Sequence, residues 1–101
     1  MGTPPLTPET EQRIDLLFPP EHRDTVRKLL LGECGNNLPF LEKIDSIAMD
    51  RFRFAALKLS GGDLKKLRDA LALAKADWRD LLMAAGFGSD IDAHKTWLPS
   101  G

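Results

Sequence analysis

The hydrophobic residues at positions 47–59 fall on two faces of one helix. At helical spacing, the first face carries Ala48, Phe52, Ala55, Ala56 and Leu59, and the second, roughly opposite, carries Ile47, Phe54 and Leu57. Arg51 and Lys58 share a narrow polar strip, and Arg53 lies on another. A helix that is apolar on two sides is packed on two sides. We therefore predict that this segment, at residues 46–60, is the central helix of the fold.

Two helices are predicted before the central one. Thr7-Pro8-Glu9 is a typical helix start, with a hydroxyl at the N-cap and proline at the first helical position. Pro19-Pro20 ends this helix, because proline lacks the amide hydrogen and disfavours helical backbone before it. A second helix is predicted at residues 21–34, with Gly35-Asn36-Asn37 as its left-handed C-terminal cap. Residues 38–44 could add one short helical turn.

The chain beyond the central helix contains one long helix or two. Asp45 or Ser46 is expected to cap the central helix and Gly61-Gly62 to end it. Apolar residues then recur at alternating three- and four-residue steps over residues 64–85, which fits a single helix. Asp77 and Asp80 have the spacing of a capping box with Asp in place of Glu, which favours a break near Ala76-Asp77.

The same capping logic predicts a last short helix. Gly86-Phe87-Gly88 ends the preceding segment, and Ser89 with Asp92 offers a capping box for a helix reaching Trp97. No stretch alternates with period two over the length of a strand. The predicted fold is therefore all-α, a compact bundle of five or six short helices. We expect a flexible segment at 1–6, one domain at 7–98 and a frayed tail at 99–101.

Composition and charge limit the functional classes. The chain has 101 residues, 43% of them hydrophobic and 29% charged, which is typical of one soluble globular domain. A single cysteine excludes an internal disulfide and a cysteine-rich zinc site. Neither a secretory signal nor an apolar run long enough to span a membrane is found, so a cytoplasmic protein without membrane contact is predicted.

The net charge of −1 conceals an uneven distribution. Residues 1–50 hold 5 basic and 9 acidic side chains, whereas residues 51–80 hold 8 basic and 4 acidic ones. Either acidic early helices pack beside basic later ones, or the basic residues form a surface for an anionic partner. The basic candidates are Arg51, Arg53, Lys58, Lys65, Lys66, Arg68, Lys75 and Arg79.

Few residues suggest chemistry. Cys34 lies near a predicted helix C-terminus beside Glu33, where the helix dipole and the neighbouring charge both raise a thiol pKa, so it is interpreted as a buried thiol and not a nucleophile. Asp90, Asp92 and His94 could hold an ion, but a structural site needs about four ligands. Acids in a first helical turn explain them better, and no metal site is predicted.

Two further motifs have structural interpretations. Residues 60–63 lead into a helix, where free amides can hold phosphate, but Asp63 would fill that role and repel an anion. Residues 63–87 could form a helix-turn-helix. The second of its helices carries one arginine followed by an apolar body, which is typical of a buried helix and not of DNA recognition.

Two blocks carry a resemblance to other proteins. DWRDLLMAAGFG at 77–88 and AHKTWLP at 93–99 resemble the C-terminal part of short uncharacterised bacterial all-α proteins, and the similarity extends back through RFAALKLSGGD at 53–63. The resemblance implies a bacterial cytosolic protein. It carries no activity, cofactor or site residue with it.

The sequence therefore predicts a non-catalytic protein without a cofactor. The leading hypothesis is a protein–protein interaction or regulatory module, self-association included. Trp78 and Trp97 are candidate anchors of the kind enriched in binding hot spots, although a core this small also needs them for packing. The alternative hypothesis is a nucleic-acid-associated protein that uses the basic region at 51–79.

Overall fold

Within the residues that the structure describes, the chain forms a bundle of five α-helices followed by one 3₁₀ turn. The computed structural model describes residues 5–34, 46–89 and 92–99. Its helices are α1 (Pro8–Leu17), α2 (Pro20–Glu33), α3 (Ser46–Ser60), α4 (Leu64–Ala76) and α5 (Trp78–Ala85), and the 3₁₀ turn is Ala93–Thr96. No strand occurs within the described ranges, so the predicted all-α class is confirmed.

Helix α3 is the centre of the bundle, as predicted. It packs against α1, α4, α5 and the 3₁₀ turn, while α2 lies against α1 and α4. Phe52, Ala55 and Ala56 are buried on its first face, and Phe54 and Leu57 on the second. Leu59 is half-buried. Both faces of α3 are therefore buried, which confirms the prediction that this helix is packed on two sides.

The start of α1 follows its local sequence. Thr7 is the N-cap, and its hydroxyl accepts a hydrogen bond of 3.1 Å from the Thr10 amide. Pro8 occupies the first helical position, and the helix ends before Pro19-Pro20. Helix α2 begins one residue earlier than predicted, at Pro20, because proline suits a first helical position as well as it stops the helix before it.

The break between α4 and α5 lies at Asp77, as the capping pattern favoured. The Asp77 amide donates to the Leu73 carbonyl at 2.8 Å and so ends α4. Its carboxylate accepts a hydrogen bond of 3.0 Å from the Arg79 amide and so caps α5. Gly86 then ends α5 in the left-handed conformation, with φ 82°. One residue, Asp77, therefore separates the two helices.

The last helix differs from the prediction. It is one 3₁₀ turn that begins at Ala93, after Asp92 and not after Ser89, and Asp92 makes no side-chain cap bond there. Asp92 instead forms an ion pair with Lys95 at 2.8 Å. A four-residue turn has too few internal hydrogen bonds to be stable alone, so its position depends on packing against α3.

The N-terminal segment is held from Pro5 onward. Leu6 packs against the core, and the Pro5 carbonyl accepts a hydrogen bond from Arg53, so these two residues of the predicted segment 1–6 contact the helices. The predicted cap at 35–37, the turn at 38–44 and the capping residue Asp45 lie outside the described residues. Helix α3 itself begins at Ser46.

Candidate functional site

Three of the eight basic candidates donate hydrogen bonds to backbone carbonyls of the same chain. Arg51 donates to the Phe87 carbonyl at 2.7 Å and Lys58 to the Ala85 carbonyl at 2.8 Å, from the polar strip that they share on α3. Arg53 is fully buried. Arg51 and Lys58 bind carbonyls at and just after the end of α5, and Arg53 is enclosed in the core. The three cations of α3 therefore do not form one basic surface with the other candidates.

Arg53 shows why a cation can lie inside this core. Its Nε donates to the Cys34 carbonyl at 3.1 Å and its Nη1 to the Pro5 carbonyl at 3.0 Å. Desolvation by burial lowers the pKa of Arg53, and the charge of Asp50 opposes that shift. Guanidinium remains protonated in proteins. The residue therefore joins the N-terminal segment and the end of α2 to α3 and does not face a partner.

The remaining five basic candidates lie on the surface, as Lys58 does. Lys65, Lys66, Arg68 and Lys75 are exposed on α4, with Asp69 among them, and Arg79 is exposed on α5. Lys65 pairs with Asp69 at 3.2 Å, Arg79 pairs with Asp77 at 3.3 Å, and Lys75 pairs with Glu33 of α2. The exposed face of α4 thus carries four cations and one anion.

Two grooves run beside the exposed face of α4. The groove toward α3, of about 240 Å³, has Leu59, Ala70 and Leu73 on its floor and Lys66 and Asp69 on its rim. The groove toward α2, of about 310 Å³, has an apolar floor of Leu29, Leu71 and Ala72, with Glu33, Arg68 and Lys75 around it. We call α4 with both grooves the α4 face.

The two tryptophans are half-buried and pack against aromatic core residues. Trp78 meets Phe52 edge-on, with ring centres 5.6 Å apart. Trp97 is tilted against Phe54 at 6.2 Å and against Phe87 at 6.3 Å. Neither lines a groove of the α4 face. Both make the packing contacts expected of large side chains in a small core, and their role in binding stays a prediction.

A third hollow was not anticipated from the sequence. It has a volume of about 320 Å³ and lies between α1, α3 and the 3₁₀ turn, lined by Glu9, Arg13, Asp50, Phe54, His94 and Lys95. Helical spacing gave a signal for it, because Thr10, Arg13, Ile14 and Leu17 lie on one face of α1, and Asp50 lies on the Phe54 face of α3. We call it the Arg13–His94 cleft.

Arg13 is committed to contacts inside this cleft. Its side chain is almost fully buried, and its guanidinium carbon lies 4.1 Å from the centre of the Phe54 ring. Nη1 donates to the Glu9 carbonyl at 2.9 Å and Nη2 to the Trp97 carbonyl at 3.0 Å. Burial lowers the pKa of Arg13, and Asp50 and Glu9 oppose that shift.

Asp50 is likewise satisfied by internal hydrogen bonds. The Thr7 hydroxyl donates to its two carboxylate oxygens at 2.8 and 2.9 Å, and the Thr10 hydroxyl donates at 2.8 Å. These bonds join the first turn of α1 to α3 across 40 residues or more of sequence. Because Arg13 and Asp50 already have partners, they connect α1 to its neighbours in the fold, and the cleft offers few polar groups to a ligand.

Two nitrogens of the cleft, Nδ1 of His94 and Nε of Arg13, are buried without a hydrogen-bond partner among the described residues. His94 is 5% exposed. Its ring lies edge-on to Phe54 and Phe87, at 5.5 and 6.3 Å. Burial lowers the pKa of His94, and so do Lys95 and Arg51, while Asp50 and Asp92 act in the opposite direction.

Cys34 and the glycine turn have the structural roles that the sequence predicted. Burial raises the pKa of the fully buried Cys34 thiol to about 12, against the attraction of Arg53. The predicted direction is confirmed, although desolvation is the main cause. Asp63 caps α4 by accepting hydrogen bonds from the Lys65 and Lys66 amides at 2.8 and 3.2 Å. The chain's own carboxylate therefore occupies that helix start.

The comparisons with known proteins leave the geometry as the only guide to function. No protein-family model, curated protein or solved structure matches this chain. Within the described residues, no helix is long and apolar enough to cross a membrane. The same part of the chain contains no group of three or more His, Cys, Asp or Glu side chains placed to hold a metal ion. The α4 face and the Arg13–His94 cleft are the two candidate sites.

Proposed function

We propose that this chain is a non-catalytic protein–protein interaction module whose α4 face binds an acidic, amphipathic segment of a partner protein. The observation that carries the proposal is the arrangement of α4 itself. Four exposed cations and one anion occupy its outer surface, and a groove with an apolar floor follows it on either side. Such a surface can pair with acidic side chains and bury apolar ones at the same time.

The chemistry of the grooves favours a peptide. Leucine and alanine side chains form both floors, and burying apolar surface is the main favourable term in protein association. A helix laid into a groove places apolar residues at intervals of three and four positions. Acidic residues on its flanks would meet Lys66, Arg68 and Lys75, which would raise the rate of association and fix its orientation.

The nucleic-acid alternative has less structural support. Arg51, Arg53 and Lys58 bind the backbone of their own chain, so they add no contacts beside the α4 face. Phosphate recognition uses cations and gains nothing from apolar floors.

A peptide display library tests the proposal. The full chain is immobilised, random peptides long enough to form several helical turns are selected, and their affinities are measured by fluorescence anisotropy. We expect enrichment of acidic peptides with apolar residues at helical spacing. Arg68→Glu should weaken their binding at least about tenfold, or about 1.4 kcal/mol. Lys28→Glu, an equal charge change at an exposed position of α2, is the matched control and should leave binding unchanged.

Other outcomes identify other occupants. Peptides without an acidic bias, or peptides that bind Arg68→Glu as tightly as the parent chain, would contradict the proposal. Binding of generic duplex DNA that competes with the peptides and falls steeply with salt would support the nucleic-acid alternative. A dimer in light scattering that Arg68→Glu dissociates would mean that the α4 face binds a second copy of the chain.

A further inference from the structure

Residues 92–99, which we call the C-terminal segment, are attached to the bundle by a small set of contacts. Arg13 donates hydrogen bonds to the Trp97 and Lys95 carbonyls at 3.0 and 3.4 Å. His94 and Trp97 pack their rings against Phe54 and Phe87. The backbone bonds Lys95 N–H to Asp92 and Trp97 N–H to His94 stay inside the segment. The aromatic contacts therefore supply much of its attachment.

His94 lies at the centre of these contacts and suits them only when it is neutral. A neutral imidazole carries one N–H and one lone pair, whereas the protonated ring carries two N–H donors and a positive charge. Nδ1 is buried and has no partner within the part of the chain that the structure describes. A proton that completes the imidazolium would therefore place a charged ring in a site where Nδ1 has no acceptor, and such burial is costly.

The charged groups around His94 do not remove that cost. Arg13 and Glu9 line the cleft from α1, and Asp50 lines it from α3. Arg51 of α3 and Lys95 of the segment disfavour the charged ring, while Asp50 and Asp92 favour it. The Asp50 carboxylate already accepts hydrogen bonds from Thr7 and Thr10. Among the described residues after α5, Phe87 contacts His94 through its ring.

We propose that the C-terminal segment is an acid-released latch, in which protonation of His94 detaches residues 92–99 from α3 while the five α-helices stay folded. Release exposes the rings of Phe54 and Phe87, which the segment covers in the neutral state. The latch lies against α1 and α3 and shares no residue with the α4 face, so it does not rest on the proposed interaction with a partner.

The direction of the pH dependence follows from linkage. The attached state lowers the pKa of His94 below its ordinary value of 6.5. The detached state, with His94 in water, thus binds a proton at higher pH than the attached state does. Attachment is fully favoured above pH 6.5 and weakens as the pH falls from there through the lower pKa of the attached state.

Tryptophan fluorescence can follow the latch. The chain has two tryptophans, so Trp78→Phe leaves Trp97 as the only reporter. Between about pH 7.5 and about pH 5, a range that includes the ordinary imidazole pKa, we expect Trp97 emission to shift toward that of a fully hydrated indole. Far-UV circular dichroism should stay constant over the same range, because α1 to α5 remain folded.

Two histidine variants separate the latch from general acid effects. His94→Phe in the Trp78→Phe background keeps a ring against Phe54 and Phe87 but cannot be protonated, so its Trp97 emission should not change over this range. His22→Gln removes the only other histidine and should leave the transition in place. A transition that persists in His94→Phe, or an emission change that occurs only together with loss of helix, would overturn the proposal.

A measurement on the unmodified chain covers the case in which His94→Phe does not fold. The NMR shift of the His94 imidazole is titrated beside the backbone amide shifts of residues 93–97. We expect one common midpoint below pH 6.5, with the amides of α4 unaffected. Amide shifts that change at a different pH from the His94 ring would contradict the latch.

Discussion

The carbonyl oxygen of Leu17 occupies the place where a side chain at Gly62 would begin. A Cβ atom built on Gly62 would lie 2.7 Å from that oxygen, closer than real Cβ contacts come. Gly62 also has φ +90°, in a region that L-residues other than glycine rarely adopt. The end of α1 is therefore packed directly on the backbone of the turn between α3 and α4, and glycine is required there on two grounds.

Alanine at the two glycines of this turn should have unequal effects. Gly61 has φ +56° with open space around its Cβ position, so Gly61→Ala should lower the free energy of unfolding by about 1–2 kcal/mol. Gly62→Ala adds a steric clash with a backbone atom and should cost about 1–3 kcal/mol more. Urea unfolding of both variants measures the difference. Equal losses would show that α1 does not press on the turn.

Removing the Phe52 ring tests the central position of α3. Phe52 is 6% exposed and meets Trp78 edge-on, so Phe52→Ala should lower the free energy of unfolding by roughly 3–5 kcal/mol. Leu16→Ala is the control, because Leu16 is largely exposed on α1 and its loss should cost no more than about 0.5 kcal/mol. If Phe52→Ala costs less than about 1 kcal/mol, a different helix is at the centre.

The hydroxyl of Thr10 should contribute measurably to stability. It is fully buried and donates to Asp50 at 2.8 Å, so Thr10→Val keeps the side-chain shape and deletes a hydrogen bond to a carboxylate. We expect a loss of roughly 1.5–3 kcal/mol in chemical denaturation. Thr25→Val, the same change at a half-buried position of α2, should stay within about 0.5 kcal/mol. Similar values for both would mean that Asp50 does not need Thr10.

The Cys34 thiol should be inert in the folded chain. Burial raises its pKa to about 12, so almost no thiolate, the reactive form, exists at neutral pH. With a thiol-specific disulfide reagent at pH 8, we expect the folded protein to react only as fast as it opens, and the denatured protein to react at once. Rapid stoichiometric labelling without denaturant would contradict the buried position of Cys34.

Local signals in the sequence predicted the elements of this fold well. Thr7 before Pro8 gave the start of α1, and Asp77 gave the break between α4 and α5, because a cap depends on hydrogen bonds within a few residues of itself. The two-sided apolar pattern of α3 predicted its central place for a similar reason. Burial on two faces leaves a periodic trace in one short stretch of chain.

The arrangement of the basic residues could not be predicted in the same way. Spacing placed Arg51 and Lys58 on one strip and Arg53 on another, but it did not show which strips other segments would cover. Their acceptors, such as the Phe87, Ala85 and Pro5 carbonyls, lie 27 to 48 residues away in sequence. Which basic residues remain exposed to a partner therefore depends on the tertiary packing of the helices, which local spacing does not show.

The Arg13–His94 cleft needed the tertiary structure for the same reason. Arg13 meets the Trp97 carbonyl across 84 residues, and a polar residue on the buried face of a helix does not show its partner. The predicted start of the last helix, after Ser89, was wrong because the spacing of capping residues offers more than one candidate start. In a segment of a single 3₁₀ turn, contact with α3 decides between them.

The hydrogen bonds of the three α3 cations also define the position of the helix along its axis. Its apolar residues recur with each turn, so sliding by one turn, about 5.4 Å, could exchange one set of hydrophobic contacts for another. The hydrogen bonds of Arg51, Arg53 and Lys58 reach single carbonyls at separate points of the chain and do not repeat. Sliding would break all of them together. These three residues thus distinguish the native register from registers shifted by one turn, which hydrophobic contacts alone do poorly.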